Sequence, residues 1–402
     1  MKSTAVTHHL RQLQAENRRV VLVLALLGAL VLAAEVAAQE VFSDGFASGT
    51  ICAWSNAPSE FEVPANGLDD DCDGLFDEAP DICDGGLPTS SNDALEYAAA
   101  MDLCQATTEG GTSWGLISAS LTRADGTLLP PPESHAIRTQ FGSGVVPQAG
   151  LAMAILSTGK AAAPADTGYV QFEPGFDSGL FSPAPDDWLT ANGGSAPVAP
   201  GCPGLTDSAT AVDPVMLQLR IRAPGNARSF RLAADFLAAD YPEWICSPFN
   251  DVFVVLLDSV FVGVPANPAD KNLAIYSAPL DLVFPVGANL AWGDTGLFTQ
   301  CINGATGCED GGTLGNTISC VGTDGLADTG MDVLAPDVCG AADGLRGGGT
   351  DWLVVRGNVV PGEVFDLRLA IWDTSDYFFD SLVLLDDFQW SVDLATPGTT
   401  QN

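Results

Sequence analysis

The hydrophobic pattern of the chain is that of β-structure. Val215 to Arg222 reads VMLQLRIR, apolar alternating with mostly polar residues; the turn residues Pro224-Gly225-Asn226 follow, then a second run from Ser229 to Phe236. A period of two buries one face of a strand, and the turn between the runs predicts a hairpin. Asp251 to Val262, DVFVVLLDSVFV, is almost continuously apolar, as expected for a central strand of a sandwich. Further strands are predicted at Leu280–Phe284, Trp352–Arg356, Glu363–Trp372 and Ser381–Val392, with Pro361-Gly362 turning the chain into the third. There Phe365, Leu367, Leu369 and Ile371 share one face, and Asp366 and Arg368 lie opposite. One helix is predicted, Ala94 to Cys104, capped by Ser91, Asn92 and Asp93, with Leu95, Ala98, Ala99 and Leu103 on its apolar side. Long helical patterns between strands are missing, which argues against a doubly wound sheet. The expected fold is mainly β: an antiparallel β-sandwich or jelly-roll-like domain with one short helix and disulfide-stapled loops.

The first segment reads as an address. Arg18 and Arg19 precede an apolar run of 15 residues, Val20 to Ala34; Glu35 and small residues up to Ala38 follow. A basic flank, a short apolar core and a small-residue site describe a secretory signal peptide, and about 20 apolar residues are needed to span a bilayer. The expected organisation is a signal peptide over 1–38, an acidic lead-in over 39–80, a β-rich domain over 81–395 and a tail over 396–402. No second long apolar run exists, so no membrane span is expected after cleavage. The expected location is secreted, extracellular or cell-surface.

Charge narrows the partners. Among 402 residues, 51 are acidic and 15 basic, a net charge of −36. Nucleic acids and anionic membranes need Lys and Arg to neutralise phosphate, so neither is an expected partner. Cleavage removes four basic and two acidic side chains, shifting the net charge to −38, and leaves His135 as the sole histidine. A multi-His zinc or copper centre cannot then be built, and any Ser-His-Asp or Cys-His site has to use His135. That residue follows three prolines and reads as an exposed loop position. No H-E-x-x-H motif is present. In so acidic a chain a carboxylate pair can be nominated almost anywhere, so none is informative. No catalytic residue is assigned and the chain is read as non-enzymatic.

Ten cysteines follow the leader: Cys52, Cys72, Cys83, Cys104, Cys202, Cys246, Cys301, Cys308, Cys320 and Cys339. An even number in an exported chain predicts disulfides. Spacing leaves the pairing open, although two clusters, Cys52 to Cys104 and Cys301 to Cys339, suggest local bridges.

The sharpest chemical signal is N-G-L-D-D-D-C-D-G-L-F-D-E, Asn66 to Glu78. Asp69, Asp71 and Asp73 alternate toward one side of a curling loop, Gly74 allows the turn, Leu75 offers a carbonyl, and Asp77 and Glu78 close the far side. This follows the first nine positions of an EF-hand-type calcium loop, but Pro80 stands where the bidentate Glu would be. The donors are hard oxygens, so calcium is the expected cofactor and copper is disfavoured. A solvated acidic linker stapled by Cys72 is the plainer alternative.

The same thirteen residues resemble the MopE-type metal-binding motif of exported bacterial proteins, with Asn66 in place of its first Asp. Phe42-Ser43-Asp44-Gly45-Phe46-Ala47-Ser48-Gly49 with Trp54-Ser55 resembles an opening seen after the signal peptide of many secreted bacterial proteins. From about Cys83 to Asp393 the chain resembles the choice-of-anchor L family. The resemblance rests on Trp114-Gly115-Leu116, on Leu156 to Gly159 (LSTG), on Asp240 to Asp251 (DYPEWICSPFND) and on Leu369 to Ser381 (LAIWDTSDYFFDS). It implies a secreted or surface β-rich domain and brings no catalytic residues with it.

Asp373, Asp376 and Asp380 sit where two strongly apolar strands are joined. They either cap backbone N–H groups as Asx-turns or hold a second cation, with Asn250-Asp251 placed to add oxygens. Trp188, Tyr241, Trp244, Trp292 and Tyr377 are candidates to stack on sugars, core packing being the plainer reading. The expected function is surface display or adhesion by a calcium-stabilised sandwich, with surface glycans or another envelope protein as candidate partners. A carbohydrate-binding module or a secreted hydrolase is the alternative.

Overall fold

The computed structural model describes residues 61–63, 69, 75, 77, 81–309, 311–316, 320–335, 338–341 and 344–402. The chain divides into two units, 1–56 with 62–78 and 57–61 with 79–402. The second unit contains the β-domain.

Its strands are β1 (Gly115–Thr122), β2 (His135–Arg138), β3 (Met153–Ser157), β4 (Phe181–Pro183), β5 (Thr210–Arg222), β6 (Ser229–Ala238) and β7 (Val252–Asp258). After three short pairs come β14 (Gly348–Gly349), β15 (Leu353–Asn358), β16 (Val364–Asp373), β17 (Ser381–Ser391) and β18 (Gly398–Gln401); the pairs are β8 (Ile275–Ala278) with β9 (Leu282–Pro285), β10 (Ala305–Thr306) with β11 (Gly315–Asn316), and β12 (Val333–Ala335) with β13 (Gly344–Arg346). One large sheet runs β1-β5-β16-β7 with β4 beside β5; the other runs β18-β15-β6-β17-β3-β2 with β14 beside β6. The paired strands of both sheets are antiparallel.

The core between the sheets follows from the period-two pattern. Leu217, Leu219 and Ile221 of β5, Phe365 to Ile371 at alternate positions of β16, and Phe253, Val255 and Leu257 of β7 meet Phe230, Leu232 and Phe236 of β6 and Val383 and Leu385 of β17. Each buried side chain of this size stabilises by roughly 1.5–3 kcal/mol. Both outer faces are covered as well. Trp188 and Leu189 of the helix α2 (Asp186–Ala191) lie in one cluster with Val254, Leu256 and Trp372. Phe141, Phe172, Met331 and Trp352 cover Ile155, Leu237, Leu382 and Leu384. This double burial is why β7 and β17 read as continuous apolar runs.

Four expectations are corrected. β7 is the terminal strand of its sheet and not a central one; the cover on its outer face, not a flanking position in the sheet, makes it apolar throughout. β5 and β6 form no hairpin. They belong to opposite sheets, and Pro224-Gly225-Asn226 turns a corner between layers. The first helix, α1, covers only Ala94–Ala99 and buries Ala94, Tyr97 and Ala98, while Leu95 is exposed; the Asp93 side chain accepts the Leu95 N–H as its cap. α2 is a second helix, which the sequence pattern did not signal.

Four disulfides are present among the described residues: Cys83–Cys104, Cys202–Cys246, Cys301–Cys320 and Cys308–Cys339. Three lie within the two cysteine clusters, and Cys202–Cys246 links more distant segments. Cys52 and Cys72 lie outside the described residues. No helix among the described residues is long and apolar enough to cross a membrane.

Candidate functional site

Acidic strand ends from both sheets meet at one edge of the sandwich. Asp373 ends β16 and Asp251 precedes β7, so one step beyond the Trp372–Val252 pair the two stand opposite one another. Like charges directly opposite destabilise a sheet unless something compensates them. Asp213 comes from β5, in a left-handed conformation (φ 46°), next to the Val212–Asp373 pair. From the other sheet, Asp240 follows β6 and Asp380 precedes β17. All five aspartates are buried, Asp373 and Asp380 at 0 % exposure.

Part of this group is well satisfied. The Phe176 N–H donates to both Asp380 oxygens at 3.1 and 3.0 Å. A Cβ on Gly159 or on Gly175 would run into that same carboxylate, so the two glycines make the space it fills. Asp213 Oδ1 accepts from the Ser178 N–H at 3.2 Å and from the Ser178 hydroxyl. Other atoms of the group are less well served. Oδ2 of Asp240 and of Asp213 are buried without a hydrogen-bond partner, while Asp251 and Asp373 lie within reach of one another and of the Ser381 and Thr158 hydroxyls respectively.

Burial drives the Asp373, Asp251 and Asp240 carboxyls well above the ordinary range, and in each case the next cause is a neighbouring carboxylate: Asp380, Asp373 and Asp251 respectively. Burial also pushes Asp380 up to about 8 and Asp213 up to about 6. An isolated buried carboxylate is costly enough that it must take a proton or meet a cation. The arrangement therefore has two chemical outcomes, a proton-sharing row or an ion.

The donors are all oxygens, which suits a hard cation and not copper. Among the described residues no three His, Cys, Asp or Glu side chains close around a single point. The group is instead a row, Asp240–Asp251–Asp373–Asp380, each member acting on the next. An ion in the row would take two adjacent carboxylates and fill its six to eight places with hydroxyl, carbonyl or water oxygens.

Of the three aspartates expected at this junction, two do act as caps. Asp376 Oδ1 accepts from the Phe378 N–H at 3.3 Å, and Asp380 serves Phe176. Asp373 caps nothing. Asp251 joins the row, whereas Asn250 Oδ1 is taken by the Asn289 N–H at 2.8 Å. Asp240 and Asp213 were not expected here. Asp240 belongs to a segment the sequence singled out, while nothing near Asp213 hinted at its place. Three of the four segments carrying the larger resemblance meet at this edge: Thr158-Gly159, Asp240 to Asp251, and Asp373 to Ser381.

Of the lead-in loop, Asp69 is buried and Leu75 is exposed; Asp77 has φ 53° and its N–H donates to Glu62 at 2.9 Å. Asp71, Asp73 and Glu78 lie outside the described residues, as does the leader.

His135 is not an exposed loop residue. It opens β2 at 4 % exposure, and its Nδ1 lies 2.6 Å from the Tyr97 hydroxyl, so its place is a structural pair. Burial pushes it down to about 4. No G-x-S-x-G elbow was expected from the sequence, yet Gly111-Thr112-Ser113-Trp114-Gly115 spells G-x-S-x-G. It leads into β1 and not from a strand into a helix, and Ser113 Oγ lies 3.1 Å from Thr107 Oγ1, so the elbow geometry is missing. Among the candidate stacking aromatics, Trp188 and Tyr241 are core residues, Trp244 and Trp292 are half-buried, and Tyr377 is 42 % exposed.

Comparison with family models, with curated proteins and with solved structures found no match.

Proposed function

We propose that this is an exported, non-catalytic β-sandwich completed by a hard divalent cation, calcium, held between the adjacent strand-end aspartates Asp251 and Asp373, and that it serves in surface display or adhesion. The observation that carries the reading is the carboxylate pair Asp251–Asp373, buried side by side at 3 % and 0 % exposure with no basic side chain among the causes acting on either. The disulfides and the signal-like leader support export, where calcium is abundant and thiols are oxidised. The acidic loop Asp69 to Glu78 is proposed to add calcium binding ahead of the sandwich.

Thermal unfolding of chelated protein tests this. An ion that binds only the folded state stabilises it by about 2.7 kcal/mol at a hundred times its Kd, so millimolar Ca²⁺ should raise the Tm by several degrees. In Asp373→Asn the chelated form should melt higher than the chelated parent, because the like-charge pair is gone, and its response to Ca²⁺ should shrink. A parent protein indifferent to Ca²⁺ would defeat the proposal.

One observation favours a second reading, recognition of surface glycans or an envelope partner. Tyr377 and Phe378 are 42 % and 40 % exposed, with ring centroids 4.5 Å apart, on the loop that follows Asp373. Retention on a glycan array that Tyr377→Ala abolishes would establish it.

A further inference from the structure

One peptide bond of β5 is held unlike its neighbours. Asp213-Pro214 is the only Asp-Pro dipeptide of the chain. Asp213 has φ 46°, a left-handed conformation, whereas the residue before a proline is normally forced into the extended region. The strand bulges there: Val212 pairs with Asp373 and Val215 with Ile371, so Asp213 and Pro214 together stand opposite Trp372. Pro214 brings no N–H to the ladder.

The surroundings impose this geometry from both sides. The Asp213 N–H donates to the Leu180 carbonyl at 2.9 Å, and Val212 pairs with Phe181 of β4. Beyond the bulge Val215 to Arg222 are paired with β16. The side chain is fixed through one oxygen only: Asp213 Oδ1 accepts from the Ser178 N–H at 3.2 Å and from the Ser178 hydroxyl. Its Oδ2 is buried with no hydrogen-bond partner, in a residue 1 % exposed. A disfavoured backbone conformation persists only where the fold over-determines it, and such positions gather where strain serves a reaction. Here the free oxygen is a nucleophile within the residue whose carbonyl it would attack. That attack closes a five-membered ring, and an intramolecular nucleophile gains orders of magnitude in effective concentration. Asp177 and Gly179, on either side of Ser178, are exposed, so water reaches the edge of the bulge.

We propose that the folded chain cuts its own backbone between Asp213 and Pro214. Asp213 Oδ2 forms a bond to the Asp213 main-chain carbonyl carbon, and the bond from that carbon to the Pro214 nitrogen breaks. The nitrogen leaves as a secondary amine with a proton taken from water. The hydroxide left behind opens the cyclic anhydride, restoring the side-chain carboxyl and creating a new C-terminal one. The event happens once per chain and turns over no substrate; it needs no bound cation and so stands apart from the calcium reading. The fold survives the cut. Cys202 and Cys246, on opposite sides of it, are joined by a disulfide. Val212 stays paired with β4 and β16, Val215 onward with β16 and Met216 onward with β1. The product is a two-chain sandwich.

The test is intact mass and denaturing electrophoresis of the purified full chain, incubated folded at neutral pH. Without reductant the protein should stay in one piece and gain the mass of one water. After reduction it should separate into two chains, the second beginning Pro214-Val215-Met216. Asp213→Ala should stay whole, and Asp213→Glu, which closes a six-membered ring through one more rotatable bond, should be cut at least about tenfold more slowly. A parent that remains one chain after reduction would overturn the proposal, as would cutting at the same bond in Asp213→Ala, which assigns it to a protease. The parent alone gives a readout free of any folding defect: unfolding uncut protein in denaturant should stop the reaction, because the bulge then no longer holds the bond. Cutting that continues at the same rate in the unfolded chain would overturn it equally.

Discussion

At the scale of single residues, two buried titratable groups have opposite consequences. His135 is pushed down to about 4 by burial. Between its ordinary value of 6.5 and that figure the unfolded chain takes up a proton that the folded chain refuses, so this contribution is lost as pH falls from about 6.5 toward 4. Asp235, buried in β6 beneath Thr350, is pushed up to about 8 by burial first and the Asp351 charge second. Its folded form keeps a proton that the unfolded chain releases near 4, so stability is lost as pH rises from about 4 to 8. Urea unfolding across pH 4–9 should therefore show Asp235→Asn flattening the alkaline side only. Tyr97→Phe leaves a buried imidazole nitrogen unpaired and should cost about 1–3 kcal/mol. None of this was legible in the sequence. A lone histidine after three prolines gives no sign that a tyrosine 38 positions earlier will cover it.

Elements were legible wherever one face is buried and the other wet. β16 is the clear case: the side chains expected inside are inside, and Asp366 and Arg368 pair outward with Arg220 and Asp187. β7, covered on both faces, was found but misplaced, because a continuous apolar run states burial without saying what does the burying. For β7 that cover is α2, whose Trp188 meets Trp372 edge-on with centroids 5.7 Å apart. Trp372→Ala should cost about 3–5 kcal/mol by chemical denaturation, whereas Asp366→Asn on the exposed face of the same strand should change stability by well under 1 kcal/mol. The β5–β6 corner was misread for a related reason. Turn residues signal a reversal of the chain, and a reversal within one sheet looks the same in sequence as one between two.

For the molecule as a whole, fold class and oxidised cysteines were readable because both depend on composition and period. The meeting of Asp213, Asp240, Asp251, Asp373 and Asp380 was not, since it depends on which strand ends the topology brings to one edge. The sequence could nominate only the aspartates contiguous with the β16–β17 junction. At that edge we propose that the buried row of carboxylates, in a chain of net charge −36, is held together by an ion and not by shared protons alone. Elemental analysis of the purified protein after exhaustive dialysis against metal-free buffer at neutral pH measures this most directly. The account predicts stoichiometric calcium in the parent and less of it in Asp251→Asn/Asp373→Asn. A parent protein that is folded, fully active in cooperative unfolding and free of any divalent metal would contradict it.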